Sequence, residues 1–504
     1  MNSANSHNLP EIFRPEDSRW ASRAAKRGQI RRLARGLYTS NLDESAAQLV
    51  RRRWYDIAAL YFPGAVIVDR SAVLAGPADD GSLFLDIGPR PVNPRAVAFP
   101  GLTLRPRNGP GPMHGDAEFI ALHISSPARA VLDNLRPSRA RSGVSRTLRR
   151  EELEEHLDRM ARVRGAQVLN ELRDEARAIA PALGAERQLA NLDELVGALL
   201  GTHEADLRTP AAKARRAGLA YDTERLYRLE VLRSELAKQN FAERAAPGDP
   251  ERLFAFFEAY FSNWIEGTEF EVEEAEEIIF EGRVPAQRPA DAHDVQGTFD
   301  AITDPALRAQ PPTDVDTLED YLRDAHTWIM RGRPEIAPGS YKDTANRAGM
   351  THFVHPELVR GTLREGFTAY QTLPAGLPRA IYAMFLIAEV HPFTDGNGRV
   401  ARALMNAELS SVGECRVMVP MSYRDEYMSA LRALSQNDNA TPLWRMIDRA
   451  QRWASLMTWT EHDRVLELMH ETNAFATPET VRELNLHLLD PNGDHGDAAR
   501  RTPQ

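Results

Sequence analysis

The feature that most constrains this chain is a short glycine-rich break between two apolar segments. Residues 378–390 (PRAIYAMFLIAEV) are apolar on nearly every face and begin with a proline, so they predict a buried helix. Gly396, Asn397 and Gly398 interrupt the helical pattern, and residues 399–409 (RVARALMNAEL) restart it with apolar residues near helical spacing. The predicted order is therefore helix, glycine-rich turn, helix.

The polar residues at this break suit a polyphosphate held beside a base. Glycines allow close backbone approach, and the N–H groups and dipole at the start of the second helix favour an anion. Arg399 and Arg402 share one face of that helix, where their guanidinium groups can fork onto phosphate oxygens. Asp395 is a hard oxygen ligand of the kind that Mg²⁺ takes alongside phosphates, and His391 can accept a proton near neutral pH. Each residue alone has an ordinary structural explanation, and only their compact order indicates a nucleotide site.

Residues 391–402 (HPFTDGNGRVAR) resemble, at every diagnostic position, the HxFx(D/E)GNGRxxR signature of the Fic family, part of the Fido superfamily. The resemblance implies a protein adenylyltransferase that moves AMP from ATP to a Ser, Thr or Tyr hydroxyl of a target protein. It implies that His391 is the catalytic base and that Phe393 is a buried aromatic residue fixing the loop. The remaining roles that it implies are Mg²⁺ binding by Asp395, an anion hole at Gly396, Asn397 and Gly398, and terminal-phosphate binding by Arg399 and Arg402.

A second informative helix is predicted at residues 249–267. Asp249 is placed to cap it, Pro250 lies in its first turn, and Gly267 stands where helices often end. Ser262 and Glu266 are four residues apart, so both project from one face of this helix.

Residues 262–267 (SNWIEG) resemble the (S/T)xxxE(G/N) inhibitory motif of the Fic family. In relatives that carry this motif before the core, the glutamate pairs with the second arginine of the signature and keeps the ATP γ-phosphate from binding productively. The resemblance therefore implies that Glu266 pairs with Arg402 and that Ser262, Glu266 and Gly267 form an inhibitory element.

Other segments of the predicted Fic core carry weaker expectations. Residues 342–353 are turn-rich, with short strands expected at both ends, at the place where Fic proteins carry a flap that aligns the target by strand addition. His352 and His355 are expected to belong to the flap or core. Tyr423 and Tyr427 could flank adenine or equally pack in the core.

The N-terminal part is basic although the whole chain carries a net charge of −10. Residues 1–53 hold eleven Arg or Lys against five Asp or Glu, a local balance of 11 − 5 = +6. Residues 19–35 are helix-prone and 36–39 predict a strand, which together are typical of a winged helix-turn-helix. Residues 28–38 (GQIRRLARGLY) resemble the wing of AbiEi-type antitoxins, implying DNA contacts by Arg31, Arg32 and Arg35. The alternative is that these arginines only form the solvent-exposed face of a helix that packs against the rest of the domain.

The predicted fold class is mainly α, an all-helical Fic core with a β-hairpin flap, preceded by a winged helix-turn-helix and a small α+β unit. Strand-like runs at 65–69, 82–87, 96–99, 102–104 and 117–124, followed by a capped helix at 126–135, define the α+β unit. The predicted boundaries are 15–45 for the winged helix-turn-helix, 46–135 for the α+β unit, 145–245 for a helical bridge, 249–460 for the Fic core, and 475–504 for a mobile tail.

Composition limits the remaining function classes. At 504 residues, with 42% hydrophobic and 27% charged residues, the chain is typical of a globular protein of several domains. Its longest apolar runs are too short for a membrane span, and its polar start lacks a signal pattern, so we expect a cytoplasmic location. The single cysteine, Cys415, excludes an internal disulfide and any cysteine-rich zinc site.

The sequence thus predicts a self-inhibited adenylyltransferase that uses ATP and Mg²⁺ on a hydroxyl-bearing protein partner. One alternative is a DNA-binding regulator or antitoxin-like protein, with residues 15–45 on DNA and a nucleotide-sensing core. Another is a deAMPylase in which Glu266 orients water. A homodimer, the identity of the target and the choice of nucleotide are left open by the sequence.

Overall fold

The computed structural model of this protein describes residues 9–91, 94–138, 145–203, 206–247, 251–349, 351–477 and 486–489. The chain folds as two compact units, Met1–Gly218 and Leu219–Gln504. Their boundary falls inside the segment 145–245, so the predicted helical bridge is divided between the two units rather than forming a body of its own. Of the tail expected at 475–504, most residues lie outside the described ranges.

The N-terminal end of the first unit holds one helix and a small antiparallel sheet with the strand order β1-β3-β2. Its elements are β1 (Ile12–Phe13), α1 (Ser18–Lys26), β2 (Arg31–Ala34) and β3 (Leu37–Thr39). The expectation of a helix through residue 35, and of a helix pair within 15–45, is therefore wrong. Gly28, at φ +69°, follows the helix end, and residues 31–39 form a hairpin instead.

A six-stranded mixed sheet with the order β6-β7-β5-β4-β9-β8 follows, as the α+β prediction requires. Strand β4 pairs in parallel with β9 and β5 in parallel with β7, whereas the other neighbours are antiparallel. The elements are α2 (Ala46–Arg52), α3 (Trp54–Tyr61), β4 (Val66–Ile67), α4 (Asp69–Val73), β5 (Ser82–Asp86), β6 (Val97–Phe99), β7 (Leu102–Arg107), β8 (Ala117–Phe119), β9 (Leu122–Ile124) and α5 (Pro127–Asn134).

Two details of this sheet concern the predicted boundaries. The run 117–124 is a hairpin rather than one strand, because Ile120 adopts a φ of +57° and turns the chain. The predicted cap of the following helix is present, since the Ser126 hydroxyl accepts a hydrogen bond from the Arg129 N–H at 3.2 Å.

The first unit ends in four helices, α6 (Arg150–Arg164), α7 (Gln167–Leu183), α8 (Glu186–Leu199) and α9 (Pro210–Arg216). Their buried leucines and alanines form one apolar cluster with Ala128, Val131 and Leu132 of α5. This shared core is why the predicted bridge does not stand apart from the α+β part.

The second unit is built around one large apolar core. Its helices are α10 (Thr223–Leu236), α11 (Glu251–Ile265), α12 (Val272–Glu281), α13 (Pro289–Thr303), α14 (Pro305–Ala309), α15 (Val315–Met330), α16 (Pro356–Tyr370), α17 (Leu377–Val390), α18 (Asn397–Ser411), α19 (Arg424–Asn437), α20 (Thr441–Leu456) and α21 (His462–Glu471). As predicted, α17 is buried on almost every face and packs against α18. The residues expected to begin α11, Asp249 and Pro250, lie outside the described residues.

The flap consists of β10 (Arg347–Ala348) and β11 (Thr351–His352), which pair in antiparallel fashion. The expectation of a strand beginning at 342 is wrong, because Lys342 donates its N–H to the Pro392 carbonyl, at 2.9 Å, rather than to a strand. Cys415 is free and buried. Among the helices in the described ranges, none combines the length and apolar character that crossing a bilayer requires.

Candidate active site at the start of α18

His391 lies at the C-terminal end of α17, in the left-handed region at φ +54°. Its Nδ1 is 3.2 Å from the Ala388 carbonyl oxygen. A carbonyl only accepts, so Nδ1 carries the proton of the neutral ring and Nε2 keeps its lone pair. Burial lowers the pKa of His391 to about 4, although the Ala388 carbonyl opposes this effect. The imidazole is therefore neutral at pH 7, and Nε2 is able to accept a proton.

The flap covers one face of this histidine. The Phe353 ring, directly after β11, stacks on the imidazole with centroids 3.6 Å apart and planes 4° apart. Lys342 Nζ donates to Asn346 Oδ1 at 2.7 Å, and Asn346 Nδ2 donates to the Phe393 carbonyl at 3.0 Å. Burial lowers the pKa of Lys342 to about 7. These bonds join the flap to the loop that follows His391.

The loop between α17 and α18 is fixed by Phe393 and Asn397. Asn397 Oδ1 accepts from the Phe393 N–H at 2.8 Å, and its Nδ2 donates to the Phe393 carbonyl at 2.9 Å. The Phe393 ring is fully buried and stacks on His326 of α15 with centroids 3.8 Å apart. The side chain of Asn397 thus holds the loop, and its backbone N–H, in the first turn of α18, stays available for the predicted anion hole.

His326 supports the same loop from α15. Its Nδ1 accepts from the Gly339 N–H at 2.8 Å, so Nε2 carries the proton and donates to the Asp395 carbonyl at 3.1 Å. Burial lowers the pKa of His326 to about 4, which keeps this tautomer neutral. The Asp395 backbone is therefore fixed by a buried side chain from another helix.

Arg402 is almost fully buried and bound to α11. Its Nη2 donates to Glu266 Oε1 at 2.6 Å and to the Ser262 carbonyl at 2.8 Å, and its Nε donates to Ser262 Oγ at 2.9 Å. Burial would raise the pKa of Glu266, but the charges of Arg402 and Arg399 outweigh it, so the pKa falls below its ordinary value. The ion pair that the resemblance implies is present, with both groups charged at neutral pH.

Gly398 and Gly267 explain why the Glu266 carboxylate fits here. A Cβ on Gly398 would lie 2.1 Å from Glu266 Oε1, so a side chain at this position would collide with the carboxylate. Gly267 follows at φ +88°, a conformation that favours glycine, and turns the chain directly after the glutamate, two residues beyond the end of α11. The carboxylate thus occupies space against the first turn of α18, whose N–H groups have no acceptor within the helix.

Arg399, the other signature arginine, is held by a different carboxylate. Its Nη1 lies 2.7 Å from Asp294 Oδ2 of α13 and donates to Asn263 Oδ1 of α11 at 3.3 Å. Both Arg399 and Asp294 are buried. Sequence reasoning missed Asp294, because nothing in its local pattern distinguishes it from other acidic residues of a helix.

Asp395 fits the part of a magnesium ligand that works together with substrate phosphates. One of its oxygens, Oδ1, accepts the Gly396 N–H at 2.6 Å, and about half of its side chain is exposed (52%). Within the ranges that the structure describes, no group of three or more His, Cys, Asp or Glu side chains could hold a metal alone. A single exposed carboxylate matches Mg²⁺, which commonly binds one or two carboxylates together with phosphate oxygens and water.

The structure thus brings residues 391, 395–399 and 402 together with Ser262, Glu266 and Gly267. Tyr423 and Tyr427 are both buried, which favours core packing over adenine contact. His352 lies in β11 and His355 directly precedes α16, in keeping with flap and core positions.

The three arginines proposed to contact DNA lie in the first unit, on and after β2. Arg31 donates to the carbonyl of Asn41, at 3.1 Å, and to that of Glu44. Arg32 and Arg35 are exposed. Only these two are therefore available to a phosphate backbone in this conformation.

Comparison with known proteins gives one consistent similarity. The model of the Fic/DOC family matches residues 315–409, which include the flap and residues 391–402 but not Glu266. A Fido domain-containing protein of Dictyostelium discoideum is 37% identical over 103 residues, covering 19% of this chain and 71% of that protein. Protein adenylyltransferase Fic of Drosophila persimilis is 35% identical over 112 residues, and this match spans only 22% of its length and 22% of this chain. A solved structure of Fic-1 from C. elegans is 20% identical, with a TM-score of 0.35, over 67% of this chain and 97% of that one.

Proposed function

The chain belongs to the Fic/DOC family, and on this premise we propose that it is a protein adenylyltransferase inhibited by its own helix α11. It transfers AMP from ATP to a Ser, Thr or Tyr hydroxyl of a target protein and releases pyrophosphate. The observation that carries this proposal is the neutral His391 beside a helix N-terminus whose two arginines are both held by carboxylates.

In the proposed reaction, His391 Nε2 takes the proton of the acceptor hydroxyl. At the same time, the oxygen of that hydroxyl attacks the α-phosphorus of ATP. The bond between the α-phosphorus and the bridging oxygen breaks, and pyrophosphate leaves with the electron pair. Arg399, Arg402 and the N–H groups of the first turn of α18 bind the phosphates and stabilise the charge that develops on them. Asp395 would hold Mg²⁺, which neutralises phosphate charge when bound.

Inhibition follows from competition for Arg402. Its Nη2 and Nε are occupied by Glu266 and Ser262, so a terminal phosphate can bind this guanidinium only after α11 releases it. Charge-assisted hydrogen bonds are roughly twice as strong as neutral ones, and separating a buried pair leaves the remaining charge without compensation. About a third of the Glu266 side chain is exposed (32%), which supports its role as the removable partner.

The test compares label transfer from ATP labelled at the α-phosphate, with Mg²⁺ and a cell lysate as the source of targets. Glu266→Gly should label itself or a lysate protein, and adding His391→Ala should abolish the label. Glu269→Gly, which removes an exposed glutamate three residues beyond, is the matched control and should behave as the wild type. Equal transfer by wild type and Glu266→Gly refutes self-inhibition, and transfer that survives His391→Ala refutes the assigned base.

Two alternatives are separated by the same variants. A deAMPylase would remove label from a modified target, and would lose this activity in Glu266→Gly because the water-orienting carboxylate is gone. A DNA-binding regulator would bind duplex DNA through Arg32 and Arg35, both exposed on the hairpin of the first unit. Substitution of these two residues should then abolish duplex binding and leave label transfer by Glu266→Gly unchanged.

A further inference from the structure

Asp294 is a buried carboxylate shared by two arginines. It lies on α13 and is 1% exposed. Arg333 binds both of its oxygens, with Nε 3.0 Å from Oδ1 and Nη2 2.8 Å from Oδ2. Arg399 Nη1 lies 2.7 Å from Oδ2. Because both carboxylate oxygens are bound by arginines and the side chain is inaccessible to water, the carboxylate is held in one position relative to α13.

The other donors of Arg399 are less occupied than Nη1. Its Nε is buried and has no hydrogen-bond partner among the described residues. Its Nη2 has Asp395 Oδ1 at 3.8 Å, too far for a hydrogen bond. In a guanidinium group, Nε–H and one Nη2–H lie parallel along one edge, which is the geometry that binds two oxygens of a phosphate. A buried donor without a partner calls for an explanation, and a phosphate oxygen that reached this edge would satisfy it.

The two carboxylates therefore act differently on the two signature arginines. Glu266 stands at the end of α11, is partly exposed and covers the donors of Arg402 that a phosphate would need. Asp294 is buried, is held by Arg333, and contacts Arg399 on Nη1, so it leaves the Nε–Nη2 edge without a hydrogen bond from this carboxylate.

We propose that Asp294 is a positioning residue that orients Arg399 so that its Nε–Nη2 edge binds the terminal phosphates of the nucleotide. This inference rests on the proposed function, since it takes ATP as the ligand of the site. Asp294 stays in place when Glu266 is displaced, and the inhibitory and positioning carboxylates are thus distinct.

The experiment measures binding of ATP and AMP by calorimetry in the Glu266→Gly background. Asp294→Asn should weaken ATP binding by about tenfold, through the lost charge-assisted contact, and change AMP binding by less than about twofold. Asp291→Asn is the matched control, because Asp291 is also on α13 and contacts Arg333, at 3.1 Å, but not Arg399. It should leave both affinities unchanged.

A double-mutant cycle separates positioning from general stabilisation. If Asp294 acts through Arg399, Asp294→Asn should have no further effect on ATP binding once Arg399→Ala is present. If Asp294→Asn does not fold, Asp294→Glu takes its place, since it keeps the charge but displaces the carboxylate by one methylene group. The same loss of ATP affinity is expected from it.

Three results would overturn the positioning role of Asp294 and leave the proposed function standing. They are an unchanged ATP affinity in Asp294→Asn, equal losses of affinity for ATP and AMP, or losses of ATP affinity that add to those of Arg399→Ala. Tighter ATP binding by Asp294→Asn would also overturn it, because it would make Asp294 a second inhibitory group. Failure of the Glu266→Gly protein itself to bind ATP would instead remove the proposed function together with this inference.

Discussion

Replacing Ser262 with alanine should release part of the inhibition. In the structure, Arg402 makes three hydrogen bonds to Ser262 and Glu266, and Ser262→Ala removes only the one from Nε to Oγ, of 2.9 Å. The bonds from Nη2 to Glu266 Oε1 and to the Ser262 carbonyl remain. The variant therefore isolates one of the three contacts without changing any charge.

The size of the effect follows from that bond. A hydrogen bond to a charged group contributes about 1.5 to 3 kcal/mol to stability. Since each 1.4 kcal/mol corresponds to a factor of about ten, the population with Arg402 free should rise by roughly ten- to a hundredfold. Glu266→Gly removes the charged partner itself and should exceed this gain.

The assay is the initial rate of label transfer from ATP labelled at the α-phosphate, measured for wild type, Ser262→Ala, Ser262→Thr and Glu266→Gly. Ser262→Thr retains a hydroxyl at the same atom and should stay close to the wild type, as the (S/T) position of the motif implies. If Ser262→Ala transfers label at the wild-type rate while Glu266→Gly is active, the Ser262 hydroxyl contributes nothing to holding Arg402 in the inhibited conformation.

Three further predictions concern the base, the loop and the first unit. In Glu266→Gly, transfer should stay level from about pH 8 to about pH 5 and fall as pH drops through about 4, because His391 is then protonated; a plateau ending near pH 6.5 would contradict the lowered pKa. Gly396→Ala should lower the melting temperature more than Gly282→Ala. Both glycines have positive φ, so each variant should lose about 1–2 kcal/mol of folding stability from backbone strain. Only at position 396 would the new Cβ also lie 2.7 Å from Met330 Sδ. Arg129→Met should lower stability by about 3–5 kcal/mol in chemical unfolding, because the buried carboxylates of Asp86 and Asp116, 2.6 Å and 2.5 Å from the Arg129 guanidinium, both lose their nearest cation; a loss below about 1 kcal/mol would contradict this.

The parts of the site that could be predicted from the sequence are those carried by contiguous residues. Residues 391–402 specify a helix end, a turn and a helix start within twelve positions, so local chemistry indicates their use. The pairing of Glu266 with Arg402 depended instead on a resemblance, because the two residues are 136 positions apart.

Other contributors could not be found in this way. His326 and Asp294 stand on amphipathic helices at ordinary spacing, and only packing brings them to Asp395 and Arg399. Asn397 was singled out by the motif, but the sequence did not show what its side chain binds. Its side chain bonds to the backbone of Phe393, which only the folded loop places beside it.

Local propensity was also overruled in the first unit. Arginine and alanine favour a helix through residue 35, yet β2 pairs with β3 and buries Leu33 and Leu37 in the core. The strand-like pattern of 117–124 likewise gave no sign of the turn at Ile120, since β-branched residues rarely adopt positive φ.

The most direct test of the proposed reaction is the position of the transferred label in the Glu266→Gly protein. Parallel reactions contain ATP labelled at the α-phosphate or at the γ-phosphate, and the modified protein is digested to locate the labelled hydroxyl. We expect label on protein only from the α-position, because pyrophosphate leaves with the other two phosphates. Label from the γ-position, or none from either while ATP is bound, would contradict an AMP transfer catalysed at His391.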